Sequence, residues 1–417
     1  MHVPTSHPHP SKWDKAYETK AVGLLSIGFG LVGLDRFIIN PLFPVMSKEL
    51  GLNYQDLGLI SAVLALSWGL SSIMTGHLSD RIGRKRVLIP AVVIFSLLVA
   101  TSGLASGLMS LLAIRALMGL AEGAYVPASI VATIEASKPS RVGLNIGIQQ
   151  MAAPLVGLGF GPIVAVALMK FLPNWHWVFA VVAVPGLFVA WAMFKLLRDD
   201  TPSAVEIAES ETPEAQTSWR DVLKYRAVIV NTLGMFCWLS CLIILSAFMP
   251  NYLTDYLKLN LDQMGLVLSG LGLGSCIGMV LVPAISDKLG CKSVMLTALL
   301  IELAALWLLP TIGAQPSLLF WALFVATLMN AGVIAITVGP LTSGAVPQKL
   351  ATTATGIVVG LGEVVGGAIA PAMTGGLAQK FGINIILEIS FYAILVGIFV
   401  VAMGVKQTQK RLASQLA

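Results

Sequence analysis

Polar and apolar residues along this chain separate into long blocks. Apolar stretches of roughly 20 residues, almost free of charge, recur twelve times, at about 21–44, 57–75, 87–107, 109–133, 143–169, 178–197, 227–253, 264–284, 294–313, 317–342, 352–377 and 384–405. A helix of about 20 residues crosses the roughly 30 Å hydrocarbon core of a bilayer with every backbone polar group satisfied internally. The pattern therefore predicts an all-α membrane protein with twelve transmembrane helices, and an even number of crossings puts both termini on one side.

The polar breaks are short, with one exception. Residues 199–224 hold Asp199, Asp200, Glu206, Glu209, Glu211 and Glu214 together with Pro202 and Pro213, the composition of a solvated linker. The expected organisation is a tail over 1–19, a six-helix bundle over 20–198, the linker over 199–224, a second six-helix bundle over 225–405 and a tail over 406–417. The halves also repeat. Ser79-Asp80-Arg81-Ile82-Gly83-Arg84-Lys85 returns as Ser286-Asp287-Lys288-Leu289-Gly290-Cys291-Lys292, and Pro139 returns as Pro347. A period near half the chain length predicts two related, pseudo-symmetric bundles.

Composition narrows the class further. With 56% hydrophobic and 11% charged residues and a mean hydropathy of +0.85, a soluble globular fold is excluded. The net charge of +5 would suggest nucleic acid if the cations were clustered on one face, but they sit in loops between apolar blocks. Twenty of the 26 Lys and Arg fall on the side of the termini, while Lys48, Lys170, Lys258 and Lys380 lie opposite and Arg36 and Arg115 stand inside spans. By the positive-inside rule both termini are cytoplasmic, and the expected location is a plasma membrane of the bacterial inner-membrane kind, with no nucleic-acid partner. The first nineteen residues read as a soluble tail and not as a signal peptide. Cys237, Cys241, Cys276 and Cys291 lie in or beside apolar blocks and read as packing residues; Cys237 and Cys241 share a helix face, so a soft-metal site is the other reading of that pair. No metal or cofactor is expected.

Gly76-His77-Leu78-Ser79-Asp80-Arg81-Ile82-Gly83-Arg84-Lys85-Arg86 resembles, at every specified position, the G-x-L-x-D-R-x-G-R-K-R loop of the major facilitator superfamily. The resemblance implies two six-helix bundles with a substrate site between them at the membrane midplane. Within that superfamily, Asp35-Arg36, Arg115-x-x-x-Gly119-x-x-Glu122-Gly123 with Pro127, and Phe248-x-Pro250-x-Tyr252 resemble the anion:cation symporters that take up organic acids with protons. Gly33 and Ile38 stand where those proteins often carry Tyr and Asn, which removes hydrogen-bonding groups beside the site. The resemblance also implies a cytoplasmic gate at Asp80, Arg81, Arg84, Glu135 and Arg141, in which Asp80 acts as a conformation-dependent latch.

Intramembrane charge independently marks the same spans. An ionised side chain near the bilayer centre costs about 2.5–3.5 kcal/mol on insertion scales, so Asp35, Arg36, Arg115 and Glu122 must face one another or a wet cavity. Arg115 and Glu122, seven residues apart, share a helix stripe about 10.5 Å along the axis and cannot touch through adjacent turns. Arginine suits carboxylate binding because its fork is planar and always charged. The expected roles are substrate binding for Arg36 and Arg115 and proton coupling for Asp35 and Glu122; two structural ion pairs between spans one and four are the alternative. Glu363, amid Gly360, Gly362, Gly366 and Gly367, is a weaker proton-coupling candidate or an interhelical hydrogen bond. Gln149, Gln150 and Asn330 are candidates for substrate contact or for polar glue between helices, and Glu302 and Glu388 read as peripheral. Gly28-Phe29-Gly30-Leu31-Val32-Gly33 fits a dinucleotide spacing, but it lies inside span one and reads as helix packing. No phosphate-binding loop occurs, so the expected energy source is a proton gradient and not ATP.

The expected function is import of a small organic anion, a carboxylate, together with protons by alternating access. The partners are the anion, protons and the lipid bilayer, the expected state is a monomer, and no enzymatic activity is expected. A drug:proton antiporter exporting lipophilic compounds is the alternative, suggested by Gly157-x-x-x-Gly161-Pro162 in span five.

Overall fold

A computed structural model of the chain describes residues 13–198 and 222–405, without the side chains of residues 76–78, 80, 81, 348, 349 and 352. Most of the linker, residues 1–12 of the first tail and all of the second tail expected above therefore lie outside the described residues. Among the described residues, twelve helices are long and apolar enough to cross a membrane: α1 (Lys15–Leu50), α2 (Tyr54–Ile82), α3 (Arg84–Ser102), α4 (Leu108–Ala136), α5 (Pro139–Phe171), α6 (Trp175–Leu196), α7 (Arg226–Tyr256), α8 (Leu261–Leu289), α9 (Cys291–Ile312), α10 (Pro316–Leu341), α11 (Thr353–Phe381) and α12 (Ile385–Gly404). Several run well beyond the apolar blocks, because capped polar turns prolong them. Asp14 caps α1 by accepting from the backbone N–H groups of Ala16 and Tyr17.

The repeat is deeper in three dimensions than in sequence. Asn53 opens α2 with a reciprocal cap to Asp56, and Asn260 opens α8 with the same cap to Gln263. At the other ends of these helices Gly83 and Gly290 take φ of 92° and 90°, a conformation that L side chains rarely adopt. This explains the glycine in both copies of the loop. A wide π turn interrupts α5 at Pro154–Phe160 and α11 at Glu363–Ile369, at matching places in the two halves.

α1 departs from the straight span that its hydrophobicity predicts. It breaks at Ile38 into Lys15–Phe37 and Ile39–Leu50. Pro41 accounts for the break, since it has no N–H for the Phe37 carbonyl and its ring collides with that carbonyl in a regular helix. Below the break, the glycines of α1 act in packing, as expected. Gly33 lies against the backbone of Ala153 and Gly157 in α5, and Gly28 lies against the Tyr125 hydroxyl, which donates to the Leu25 carbonyl at 2.9 Å. Gly119 and Gly123 of α4 rest in the same way on the backbone of Leu64 and Trp68 in α2.

The first six helices meet the last six along two seams, α2 against α11 and α5 against α8. Gly58 abuts Pro371, Gly375 abuts Tyr54 and Gln55, and Gly272 abuts Leu158 and Gly159, so the backbones touch where a side chain would not fit. Beside these glycines the Tyr54 hydroxyl donates to Asp255 at 3.0 Å, the Tyr54 N–H to Gln379 at 3.2 Å, and Lys170 pairs with Asp262 at 2.6 Å. These contacts lie toward the end of the molecule opposite the termini. Toward the terminal end, α2, α5 and α11 carry Gly69, Gly143, Gly147, Gly356 and Gly360, where an added Cβ would meet no atom within 4 Å.

Gly33→Leu should cost about 1–3 kcal/mol, as overpacking of a closed contact does. A lowered thermal unfolding midpoint of the detergent-solubilised protein checks this, with Gly69→Leu, in open space, leaving the midpoint unchanged.

Candidate functional site

The break in α1 creates the site. Near Ile38 the helical ladder is interrupted, and the last carbonyls of the Lys15–Phe37 segment face α4. Arg115 of α4 fills this place, its Nη1 donating to the carbonyls of Asp35 at 3.2 Å and Arg36 at 3.1 Å. A cation at the C-terminal end of a helix is favoured by the helix dipole as well as by the hydrogen bonds. Arg115 is 1% exposed, and its Nε and Nη2 make no hydrogen bond to protein.

Arg36 points the other way, across to the second half. Its Nη2 lies 2.8 Å and its Nη1 3.5 Å from the two carboxylate oxygens of Glu363 at the head of the π turn in α11. The guanidinium also lies 5.6 Å from the Phe37 ring centroid and 5.9 Å from that of Trp68. Asp35 and Glu122 are buried, and neither Glu122 oxygen nor Asp35 Oδ1 has a hydrogen-bond partner among the described residues. Glu122 is within electrostatic reach of both Arg36 and Arg115, and Asp35 of Arg115 and Glu122. Arg115 and Glu122 form no ion pair, in keeping with their seven-residue separation.

Arg36 and Arg115 line a cavity of about 20 Å³ between the halves, together with Asn40, Ser61, Ser246 and Gly367. That is room for about one water molecule. The Asn40 side chain closes it by donating to the Ser246 carbonyl of α7 at 3.0 Å. Asn40, Ser61 and Ser246 were not among the candidates from sequence, although Asn40-Pro41 inside an apolar block is a detectable signal.

Other sequence candidates lie elsewhere. Asn330 turns into the second half, where its amide donates to Glu302 at 2.8 Å and to the Trp238 carbonyl at 3.2 Å, so it does not line this cavity. Glu302 is fully buried beside it and also accepts from the Cys241 thiol, which corrects its reading as peripheral. Gln149 is buried and donates to Ser129 at 2.8 Å, an interhelical contact between α5 and α4; Gln150 neighbours it in α5 and is half-buried. Neither lines the cavity. In the loop region Arg84 pairs with Glu135 at 3.1 Å, so two gate candidates do meet. Arg141 instead approaches Glu18 at 3.8 Å, where Glu18 also accepts from Trp13, Asn145 and the Lys138 backbone. The side chains of Asp80 and Arg81 lie outside the described residues.

Twelve spanning helices in two repeated sets, closed on a buried charged cavity, define a membrane transporter and not an enzyme. The chain belongs to the Major Facilitator Superfamily, whose family model matches residues 25–371 and 232–414. It is 28% identical over 245 residues to the hexuronate transporter of Bacillus subtilis, a match that spans 56% of each chain. It is 25% identical to the sialic acid transporter NanX of Escherichia coli, covering 91% of this chain and 93% of the relative. Among solved structures, a bacterial homologue of the lysosomal transporter Spinster, inward-facing and unoccupied, superposes with a TM-score of 0.73 at 16% identity over 94% of this chain and 96% of that one. The nucleoside transporter NupG superposes with a TM-score of 0.77 at 12% identity, over 94% of this chain and all of that one. The two structures show a shared fold.

Arg115→Gln should destabilise the protein by about 3–5 kcal/mol, because it removes the cation near buried Asp35 and one of the two near buried Glu122. Arg115→Lys should cost much less, since an ammonium still reaches a carbonyl. Thermal unfolding of the two variants in one detergent tests the order.

Proposed function

We propose that this protein imports a small organic anion with protons by alternating access. The observation that carries the reading is the charge composition of the central cluster. Three carboxylates, Asp35, Glu122 and Glu363, stand around two arginines, Arg36 and Arg115, in a region that water barely enters. If all five are ionised the cluster is one unit negative. An entering carboxylate would add another negative charge in low dielectric, so its entry is favoured only with protons on the cluster's own acids. The arginines supply the fork that a carboxylate fits, and Asn40, Ser61 and Ser246 supply hydroxyl and amide groups beside it. The relatives named for hexuronate and sialic acid, both sugar acids, support an organic acid as the cargo.

With the termini cytoplasmic, as the distribution of Lys and Arg implies, the glycine seams lie at the outer end and the conformer is closed to the outside. The inner cavity must widen, or the halves must rock, before a sugar acid fits a space of about 20 Å³. Gly157 packs against Gly33 and Gly161 against Leu34, so the Gly157-x-x-x-Gly161-Pro162 motif has a packing role here.

In proteoliposomes with an inside-alkaline gradient, labelled glucuronate, N-acetylneuraminate or nicotinate should accumulate, and a protonophore should abolish the accumulation. Efflux of lipophilic cations without uptake of any of the three would sink the reading. Glu122→Gln should keep exchange between equal pools and lose proton-driven accumulation; equal loss of both would give Glu122 a structural role.

A further inference from the structure

The cavity arginine that faces the second half already holds a carboxylate. Both oxygens of Glu363 engage the Arg36 fork, at 2.8 Å and 3.5 Å, in the end-on geometry through Nη1 and Nη2 that a guanidinium offers to any carboxylate. The partners come from opposite halves, so the pair also ties α1 to α11. The turn that bears Glu363 is itself held tightly: Gly366 packs on Leu239 and Ser240 of α7, and a Cβ added at Gly367 would lie 3.2 Å from the Ala65 Cβ of α2. None of these neighbours is ionisable. The charged groups facing Glu363 are therefore Arg36 and, beyond it, Glu122, Arg115 and Asp35.

We propose that Glu363 is an internal stand-in for the substrate's carboxylate, which competes with the substrate for the Arg36 fork and releases it only on taking a proton. The proposal rests on the anion-transport reading above and specifies its coupling. In the empty protein Arg36 is neutralised by Glu363. In the loaded protein Arg36 is neutralised by the substrate, and Glu363 by a proton. The site then carries the same charge in both states, and one proton enters with each carboxylate that Arg36 binds. Loss of the proton toward the inside restores the Glu363 carboxylate, which displaces the substrate and re-forms the tie between the halves. While Glu363 engages both Nη atoms of Arg36, that edge of the fork is not open to a second carboxylate.

The test uses the full-length protein in lipid nanodiscs, with its four cysteines replaced and spin labels at Lys48 and Lys380. Both are exposed positions at the end opposite the termini, one in each half. At pH 8 the unsubstituted protein should show mainly the short distance. Glu363→Gln, and the double variant Arg36→Gln with Glu363→Gln, which leaves no unpaired charge, should each raise the long-distance population at least threefold. Glu363→Asp should restore the short distance. In parallel, Glu363→Gln should bind whichever of glucuronate, N-acetylneuraminate and nicotinate is transported at least fivefold more tightly at pH 8, and should lose its proton-driven accumulation. Unchanged distances, or unchanged affinity and accumulation while the unsubstituted protein transports a probe, would overturn the competition alone. No uptake of any probe by the unsubstituted protein would overturn the anion reading and the competition together.

Discussion

Arginine keeps its charge at any physiological pH, so Arg36 and Arg115 bring two permanent cations into a region where ions are poorly solvated. Much of the central architecture follows from this. Arg115 is accommodated by the carbonyls that a proline-broken helix exposes, and Arg36 by a carboxylate reaching over from the other half. Neither solution is available to an isolated span. Each arginine therefore ties elements together, α4 to α1 in one case and α1 to α11 in the other.

The two ties differ in what they permit. Arg115 bonds within the first six helices, which are locked by backbone contacts at Gly33, Gly119 and Gly123, so its bonds can persist while the halves move. Arg36 bonds across the halves. Any motion that parts α2 from α11 at the end opposite the termini must stretch or break it, together with the Tyr54–Asp255 and Asn40–Ser246 hydrogen bonds. On the proposed reading, a charge pair placed between the halves would link the occupancy of the site to the relative position of the bundles, which is the physical requirement for coupled transport.

Glycine sets how closely the moving parts can approach. At Gly58, Gly272 and Gly375 the halves touch backbone to backbone, so at these points the seam holds no interlocking side chain. Within each half, by contrast, buried Trp, Tyr and Phe side chains such as Trp175, Tyr125, Trp238 and Phe248 fill the space between helices. Rigid bundles joined by a smooth seam are the expected result.

The sequence by itself determined the twelve spans, their repeat and the residues that bear intramembrane charge, because lipid leaves a chain no alternative to apolar helices and makes each exception costly. It also sufficed to place Arg115 and Glu122 too far apart to pair, since the rise of a helix is fixed. Only the tertiary structure decided which charges meet. Glu363, 327 residues from Arg36, became its partner, while Asn330 turned away to Glu302 in the second half. Arg141 approached Glu18, and Asn40, Ser61 and Ser246 entered the cavity wall. Helical periodicity fixes the angle of a side chain about its own axis, but the partner depends on how far each helix is rotated, shifted and broken against its neighbours. Those quantities come from packing between elements distant in the chain, to which a hydrophobic pattern is blind.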